Sequence, residues 1–163
     1  KVADAGYLIG IHFDPMIYCD DWQQGYENLV KDIFHVVPIN QIAWISIGSL
    51  RFNPEMKKTL EENFPNSKIT AEEMLLGDDN KMRYIKPIRV ALYKHLYSLI
   101  RNFSEDIWVY LCMERYDMWD KVLGFHPNSI QEHDYLIADS LFNRFPDLFI
   151  EIPNKNKYLN MDL

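Results

Sequence analysis

Three short apolar runs, none long enough to make a helix of its own, limit what this chain can fold into. They occupy residues 7–13, 42–48 and 107–113. Buried helices run to about ten residues or more, so runs this short and this rich in Ile, Val and aromatics read as strands covered on both faces. Asp14 and Pro15 end the first run. The segments between the runs have helical spacing. Trp22, Tyr26, Leu29, Val30, Ile33 and Phe34 fall on one helix face, which Asp20 or Asp21 can cap and Pro38 stops. Asn53, Pro54 and Glu55 form a helix start, with Met56, Leu60 and Phe64 marking its inner face and Pro65 its end. Pro87 opens a long helix with Ile88, Leu92, Leu96, Leu99, Ile100 and Phe103 on one side. A short helix over residues 116–123 stops at Gly124, and another spans residues 130–145. Residues 66–86 form a long polar connection with a turn over residues 77–80. Strands alternating with helices imply parallel pairing through right-handed crossovers. The fold class is therefore α/β, parallel strands with flanking helices, either doubly wound or part of a barrel.

At 163 residues and 48% hydrophobic content the chain has material for one ordinary core. No apolar run approaches the roughly 18 residues that cross a bilayer. There is no initiator Met, and the first residues read as the last turn of a helix closed by Gly6, so the chain is expected to be a fragment. Residues 148–152 look strand-like, and residues 154–163 form a polar extension with sparse apolar anchors. The two cysteines, Cys19 and Cys112, belong to no CxxC pattern. They are expected to be buried, reduced thiols of a cytoplasmic protein, and this chain alone is expected to bind neither zinc nor an iron–sulfur cluster.

In parallel α/β folds ligands sit beyond the carboxyl ends of the strands. The first run ends in His12 and Asp14, two positions apart and so on one face. The second supplies Ser46, Gly48, Ser49 and Arg51, and the third Glu114. His12 with Asp14 admits an acid–base or metal role, or a barrel-interior histidine with a polar neighbour. Arg51, between a strand end and a helix start, suits an anion or a structural ion pair. The net charge of −7 argues against a sequence-independent nucleic-acid coat. Between residues 80 and 104, however, stand Lys81, Arg83, Lys86, Arg89, Lys94 and Arg101, with no Asp or Glu. Lys81, Arg83, Tyr84, Lys86 and Arg89 combine cations for phosphates with a ring for stacking. A solvated charged face is the plain alternative.

One ordered series ties these features together. It comprises Gly10, Ile11, His12, Phe13, Asp14 and Pro15, then Trp22 and Tyr26, then Ser49, Leu50, Arg51 and Phe52. Lys81, Met82, Arg83 and Tyr84 follow, and then Tyr110, Leu111, Cys112, Met113 and Glu114. The series resembles the spore photoproduct lyase-like radical S-adenosylmethionine (radical SAM) proteins over residues 1–124. The resemblance implies the C-terminal part of a partial (β/α)6 TIM-like barrel, with residues 125–163 as a helical C-terminal extension. It implies an enzyme whose [4Fe-4S] cluster splits S-adenosylmethionine to start repair of a thymine lesion in DNA. It also places Arg51, Arg83 and Tyr84 on the substrate and DNA side and His12 and Asp14 at the cofactor rim; the basic run adds Lys81 and Arg89 to the first group, and the third strand end adds Glu114 to the second. The CxxxCxxC motif that holds the cluster is absent, so both cofactors would belong to the full-length parent and this chain alone would be inactive. Its partners would be DNA and the missing N-terminal part of the barrel, and bare sheet edges would favour a homodimer. Two other readings stand beside this one. The first is a complete small α/β module that binds nucleotides or proteins without catalysis. The second is a metal hydrolase, which needs His12, Asp14 and Glu114 within a few Å of one another.

Overall fold

A computed structural model describes residues 1–161. In chain order the main elements are β1 (Ile9–Met16), α1 (Trp22–Val36), β2 (Ile42–Ser49), β3 (Arg51–Phe52) and α2 (Met56–Asn63). They continue as β4 (Met74–Leu76), β5 (Met82–Tyr84), α3 (Lys86–Arg101), β6 (Trp108–Leu111), α4 (Tyr116–Leu123), α5 (Ile130–Arg144) and α6 (Lys155–Leu159).

The three apolar runs form one sheet in the order β1-β2-β6, with both pairings parallel. Its two faces differ, because side chains alternate along each strand. One face carries the in-register rows Ile11, Ile45, Val109 and Phe13, Ile47, Leu111. These pack on Val30 of α1, on Leu92, Leu96 and Ile100 of α3, and on Met118, Trp119 and Val122 of α4, in one continuous core. The other face carries the rows Gly10, Trp44, Trp108 and His12, Ser46, Tyr110. The strands are therefore not apolar on both sides. The small and polar residues Gly10, His12, Ser46 and Gly48 fall at alternate positions, where an unbroken hydropathy run hides them.

Pro15 does not end β1, which continues to Met16 with an irregular register against β2. α1 stops before Pro38 as expected, but its N-cap, Asp21, makes no side-chain capping bond. α2 begins at Met56 without a side-chain cap and buries no residue; Met56 and Phe64 are exposed. Eight residues with two acid–base pairs, Lys57–Glu61 and Lys58–Glu62, make a helix that rides on the surface.

The long polar connection contains a hairpin. β4 and β5 pair antiparallel, and β5 also pairs with β3, forming a second small sheet in the order β3-β5-β4. Strands of two or three residues are too short to show periodicity, so only the turn could be read. The C-terminal region departs in the same way. Residues 148–152 are not a strand, and α6 lies within the expected polar extension, whose positions 162 and 163 fall outside the described residues. α5 is capped by Ser129, whose Oγ accepts from the Glu132 amide, while Glu132 accepts from the amide of Asn128 just before the cap. α5 lies beside β6, where the His133 ring is 5.2 Å from Tyr110 and 5.5 Å from Trp119. At its far end Arg144 donates to the carbonyls of Ile42 (2.6 Å), Ile39 (2.9 Å) and Ala43 (3.2 Å), clamping the start of β2.

Candidate functional site

Parallel pairing brings the carboxyl ends of β1, β2 and β6 to one side of the sheet, and the chemically capable residues collect there. His12 Nδ1 lies 2.8 Å from Ser46 Oγ. The carboxylate of Asp14 lies across Gly48; a Cβ at that glycine would stand 2.7 Å from both Cγ and Oδ1 of Asp14. Beside them is Cys112, whose amide donates to the Ile47 carbonyl. Burial first, and then the adjoining Asp14 carboxyl, push the Cys112 thiol above its ordinary pKa, with a smaller opposing effect from Arg51. Asp14, Arg51, Glu114 and Cys112 are thus electrostatic neighbours at one rim. Cys112 is half-buried and Cys19 is exposed, so the expectation of two buried thiols is corrected. Among the described residues no group of three His, Cys, Asp or Glu is arranged to hold a metal ion, which sets aside the hydrolase reading.

Glu114 is almost fully buried and paired with Arg89. Tyr93 Oη donates to Glu114 Oε1 (2.8 Å), accepts from the Ser49 amide (3.0 Å) and lies 2.8 Å from Ser49 Oγ. Burial, reinforced by the Glu114 charge, pushes the Tyr93 phenol far up, so it stays protonated and able to donate. This network ties the end of β2 to α3 and to Glu114 in the loop after β6. The Arg89 guanidinium pairs with the Glu114 carboxylate through Nη1, while its buried Nε has no partner among the described residues.

The hairpin carries the second cluster. Arg51 and Arg83 stand directly opposite each other in the β3–β5 pair. Like charges so placed repel, and Asp79 lies between them. Its Oδ2 accepts from Arg83 (2.5 Å) and from Arg51 (3.3 Å). Its Oδ1 takes the Lys81 amide (3.3 Å). Partial burial works against the Asp79 charge, but the Arg83 and Lys81 hydrogen bonds outweigh it and hold the carboxyl below its usual range. The Arg83 guanidinium rests on Gly77, where a Cβ would stand 2.6 Å from Nε. A cleft of about 240 Å³ separates this turn from the start of α3 and the loop before α4; Gly77, Asp78, Arg83, Lys86, Arg89, Glu114 and Arg115 are on its walls. Lys86 pairs with Asp117, and Arg115 with Asp78 across the cleft (2.6 Å).

Of the residues singled out from sequence, His12, Asp14, Arg51 and Glu114 do share one rim, and Arg83 joins them through the hairpin. Lys81 stands in the turn. Tyr84 is fully buried; its hydroxyl accepts from the Tyr18 amide (3.2 Å), so its ring supports the hairpin and offers no stacking face. Three cations of the acid-free basic window are paired from outside it: Arg83 with Asp79, Arg89 with Glu114 and Lys86 with Asp117. Sequence reasoning passed over Asp78, Asp79, Tyr93 and Arg115. The signals were present: two acids immediately precede the basic window, and Tyr93 follows Arg89 by one helical turn.

The fold and site together describe an α/β protein with a parallel sheet, with α1, α3 and α4 on one face and α5 against Trp108 and Tyr110 of β6, and a polar rim at the strand ends beside a basic hairpin. A family model described as spore photoproduct lyase matches residues 1–106, and the chain belongs to that family. Spore photoproduct lyase of Bacillus subtilis (strain 168) is 28% identical over 100 residues, which cover 60% of this chain and 27% of that protein. Its counterpart in Geobacillus sp. (strain Y412MC61) is 28% identical over 104 residues, with the same shares covered. A solved spore photoproduct lyase variant with bound AdoMet and dinucleoside spore photoproduct matches with a TM-score of 0.57 at 21% identity, covering 68% of this chain and 35% of that one. At that identity the structural likeness speaks to fold. The chain spans about a quarter of the length of the curated relatives it matches.

Proposed function

We propose that this chain is the C-terminal, substrate-side part of a partial (β/α)6 barrel in a radical SAM enzyme that repairs a thymine lesion in DNA. On this reading residues 1–124 supply the last barrel strands and residues 125–163 are an extension, of which α5 packs along β6. The observation that carries it is the sheet β1-β2-β6: one face sealed by α1, α3 and α4, the other bearing His12 and Ser46 and covered by α5 only at β6, in a chain whose first 106 residues match the lyase family. A polar sheet face opposite a helix-covered one suits the interior of a barrel that admits ligands at the strand ends.

The relatives' substrate and cofactor give this chain its part. The described residues lack the thiol set that an iron–sulfur cluster needs, so no step through the cluster is assigned to them. The cluster and most of the S-adenosylmethionine site belong to the length of the lyase that this chain does not span. His12 and Asp14 stand at the cofactor rim, with Glu114 held behind them by Arg89 and Tyr93. Arg51, Lys81 and Arg83 face the DNA, and guanidinium groups on a hairpin suit phosphate oxygens. No helix of the described residues is long and apolar enough to cross a membrane.

Anaerobic reconstitution of the full-length protein tests the reading. It should develop an iron–sulfur chromophore and release 5′-deoxyadenosine when given DNA carrying spore photoproduct. Release without any change in the lesion would remove DNA repair from the reading, and absence of the chromophore would remove radical SAM chemistry. The outer edge of β1 pairs with no strand among the described residues, and we read it as the surface through which the isolated chain dimerises. Light scattering that shows only monomer at high concentration would count against that.

A further inference from the structure

We propose that the acidic turn Asp78-Asp79 is an internal stand-in for phosphate, occupying the arginines of the hairpin until a nucleic-acid strand displaces it. The inference rests on the DNA-binding reading above and adds a mechanism of access to it.

Three arginines from three separate elements converge on two adjacent carboxylates. Arg51 comes from β3, Arg83 from β5, and Arg115 from the loop before α4. Arg51 and Arg83 share Asp79 Oδ2, while Arg115 reaches Asp78 Oδ2 across the cleft. A phosphodiester offers two anionic oxygens to the same donors, and guanidinium pairs with phosphate as readily as with carboxylate. The turn is also open to solvent. Asp78 and Arg115 are about four-fifths exposed, the side chain of Asp79 is more than a quarter exposed, and Gly77 leads into the turn. A purely structural counter-ion would stay on the arginines when DNA binds. A displaceable one leaves, and each guanidinium it releases gains a phosphate.

The two cases differ in salt dependence. Each further phosphate neutralised on a single strand steepens the slope of log K against log[salt] by about 0.7, which is about a threefold larger loss of affinity between 50 and 200 mM salt. Asp79→Asn keeps the Oδ1 that accepts from Lys81, so the turn retains its hydrogen bond while losing the charge on both arginines.

The experiment is fluorescence anisotropy of a labelled oligothymidylate with the chain and its variants, over a salt series, with circular dichroism on each variant. Asp79→Asn should bind more tightly than wild type across the salt series with the same slope, because the displaced turn already leaves both arginines to phosphate in the wild-type complex. A slope steeper in Asp79→Asn by about 0.7 for one arginine or about 1.4 for two would show that the turn stays on the arginines in wild type and would overturn the proposal. Asp78→Asn should show a smaller gain in the same direction. Glu62→Gln, which changes net charge equally on exposed α2, should match wild type. Arg83→Gln should abolish the gain in the Asp79→Asn background. Equal or weaker binding by a folded Asp79→Asn, while wild type binds, would overturn the displaceable turn and leave the DNA reading standing. No salt-sensitive binding by any form would overturn both.

Discussion

Tyr93 gives the sharpest test of how the rim is held. Its hydroxyl accepts from the Ser49 amide and donates to the Glu114 carboxylate, and both partners are buried. Tyr93→Phe keeps the ring and removes both bonds. A neutral bond contributes about 1 kcal/mol and one to a buried charge about 2, so the variant should lose about 3 kcal/mol. That is a large share of the roughly 5–15 kcal/mol that holds an ordinary domain together. In urea, with a slope of about 2 kcal/mol per M, the midpoint should fall by about 1.5 M. Tryptophan fluorescence reads the transition, since Trp22 and Trp119 are buried. The matching control is Tyr97→Phe on the same helix, which keeps the ring under Arg101 and should change stability by less than about 0.5 kcal/mol. Adding Glu114→Gln should cost less in the Tyr93→Phe background than in wild type, because the two residues share one bond. A Tyr93→Phe midpoint no lower than that of Tyr97→Phe would refute the claim that this network fastens β2 and β6 to α3.

Two further perturbations probe the C-terminal extension. Burial lowers the pKa of His133 against a smaller opposing effect from Asp134, so the folded chain favours neutral imidazole. With the folded value below the unfolded one of about 6.5, the unfolded chain binds the proton first, and stability is lost as the pH falls from about 6.5 towards the folded value. Urea midpoints at pH 7.5 and 5.5 should separate in wild type and close up in His133→Leu; an equal separation in both would assign the pH effect elsewhere. Arg144→Ala removes two bonds to β2 carbonyls and one to Ile39 just before the strand, and should cost about 2 kcal/mol. It should also speed proteolysis within residues 125–161, and unchanged digestion would show that the clamp does not hold the extension.

The main sheet could be read in the sequence because each of its strands is a dense apolar run. The long helices could be read because α1 and α3 repeat their apolar positions over fifteen and sixteen residues. The division of the sheet into two faces was concealed. Gly10, Ser46 and Gly48 are small, and Trp44, Trp108 and Tyr110 count as hydrophobic, so a polar face looked like part of an apolar strand. The hairpin was hidden for a different reason. Its strands are held by backbone pairing and by Asp79 between two arginines, neither of which leaves a periodic trace. The basic window was visible, and Asp79 adjoins it, but Glu114 and Asp117, the partners of Arg89 and Lys86, lie more than twenty residues away and only the fold brings them in.

The small residues on the polar face also lead to a test of the rim itself. Trp44 lies across Gly10, and the Asp14 carboxylate across Gly48, in space that any side chain would fill. In Gly48→Ala the new methyl would stand 2.7 Å from Asp14 Cγ, so the carboxylate must swing outward. Asp14 is exposed, so the swing should cost no more than about 1 kcal/mol. Its effect on Cys112 should be clear, because Asp14 is the main charged group holding that thiol's pKa up. In a Cys19→Ser background, the pH at which Cys112 reaches half-maximal alkylation by iodoacetamide should fall in Gly48→Ala. Asp14→Asn should lower it too, by removing the charge without the methyl. A midpoint that drops in Asp14→Asn but not in Gly48→Ala would mean the carboxylate tolerates the methyl where it stands. A midpoint unmoved in both would mean that Asp14 does not govern the thiol, and that β1 and β6 do not meet at this rim through their side chains.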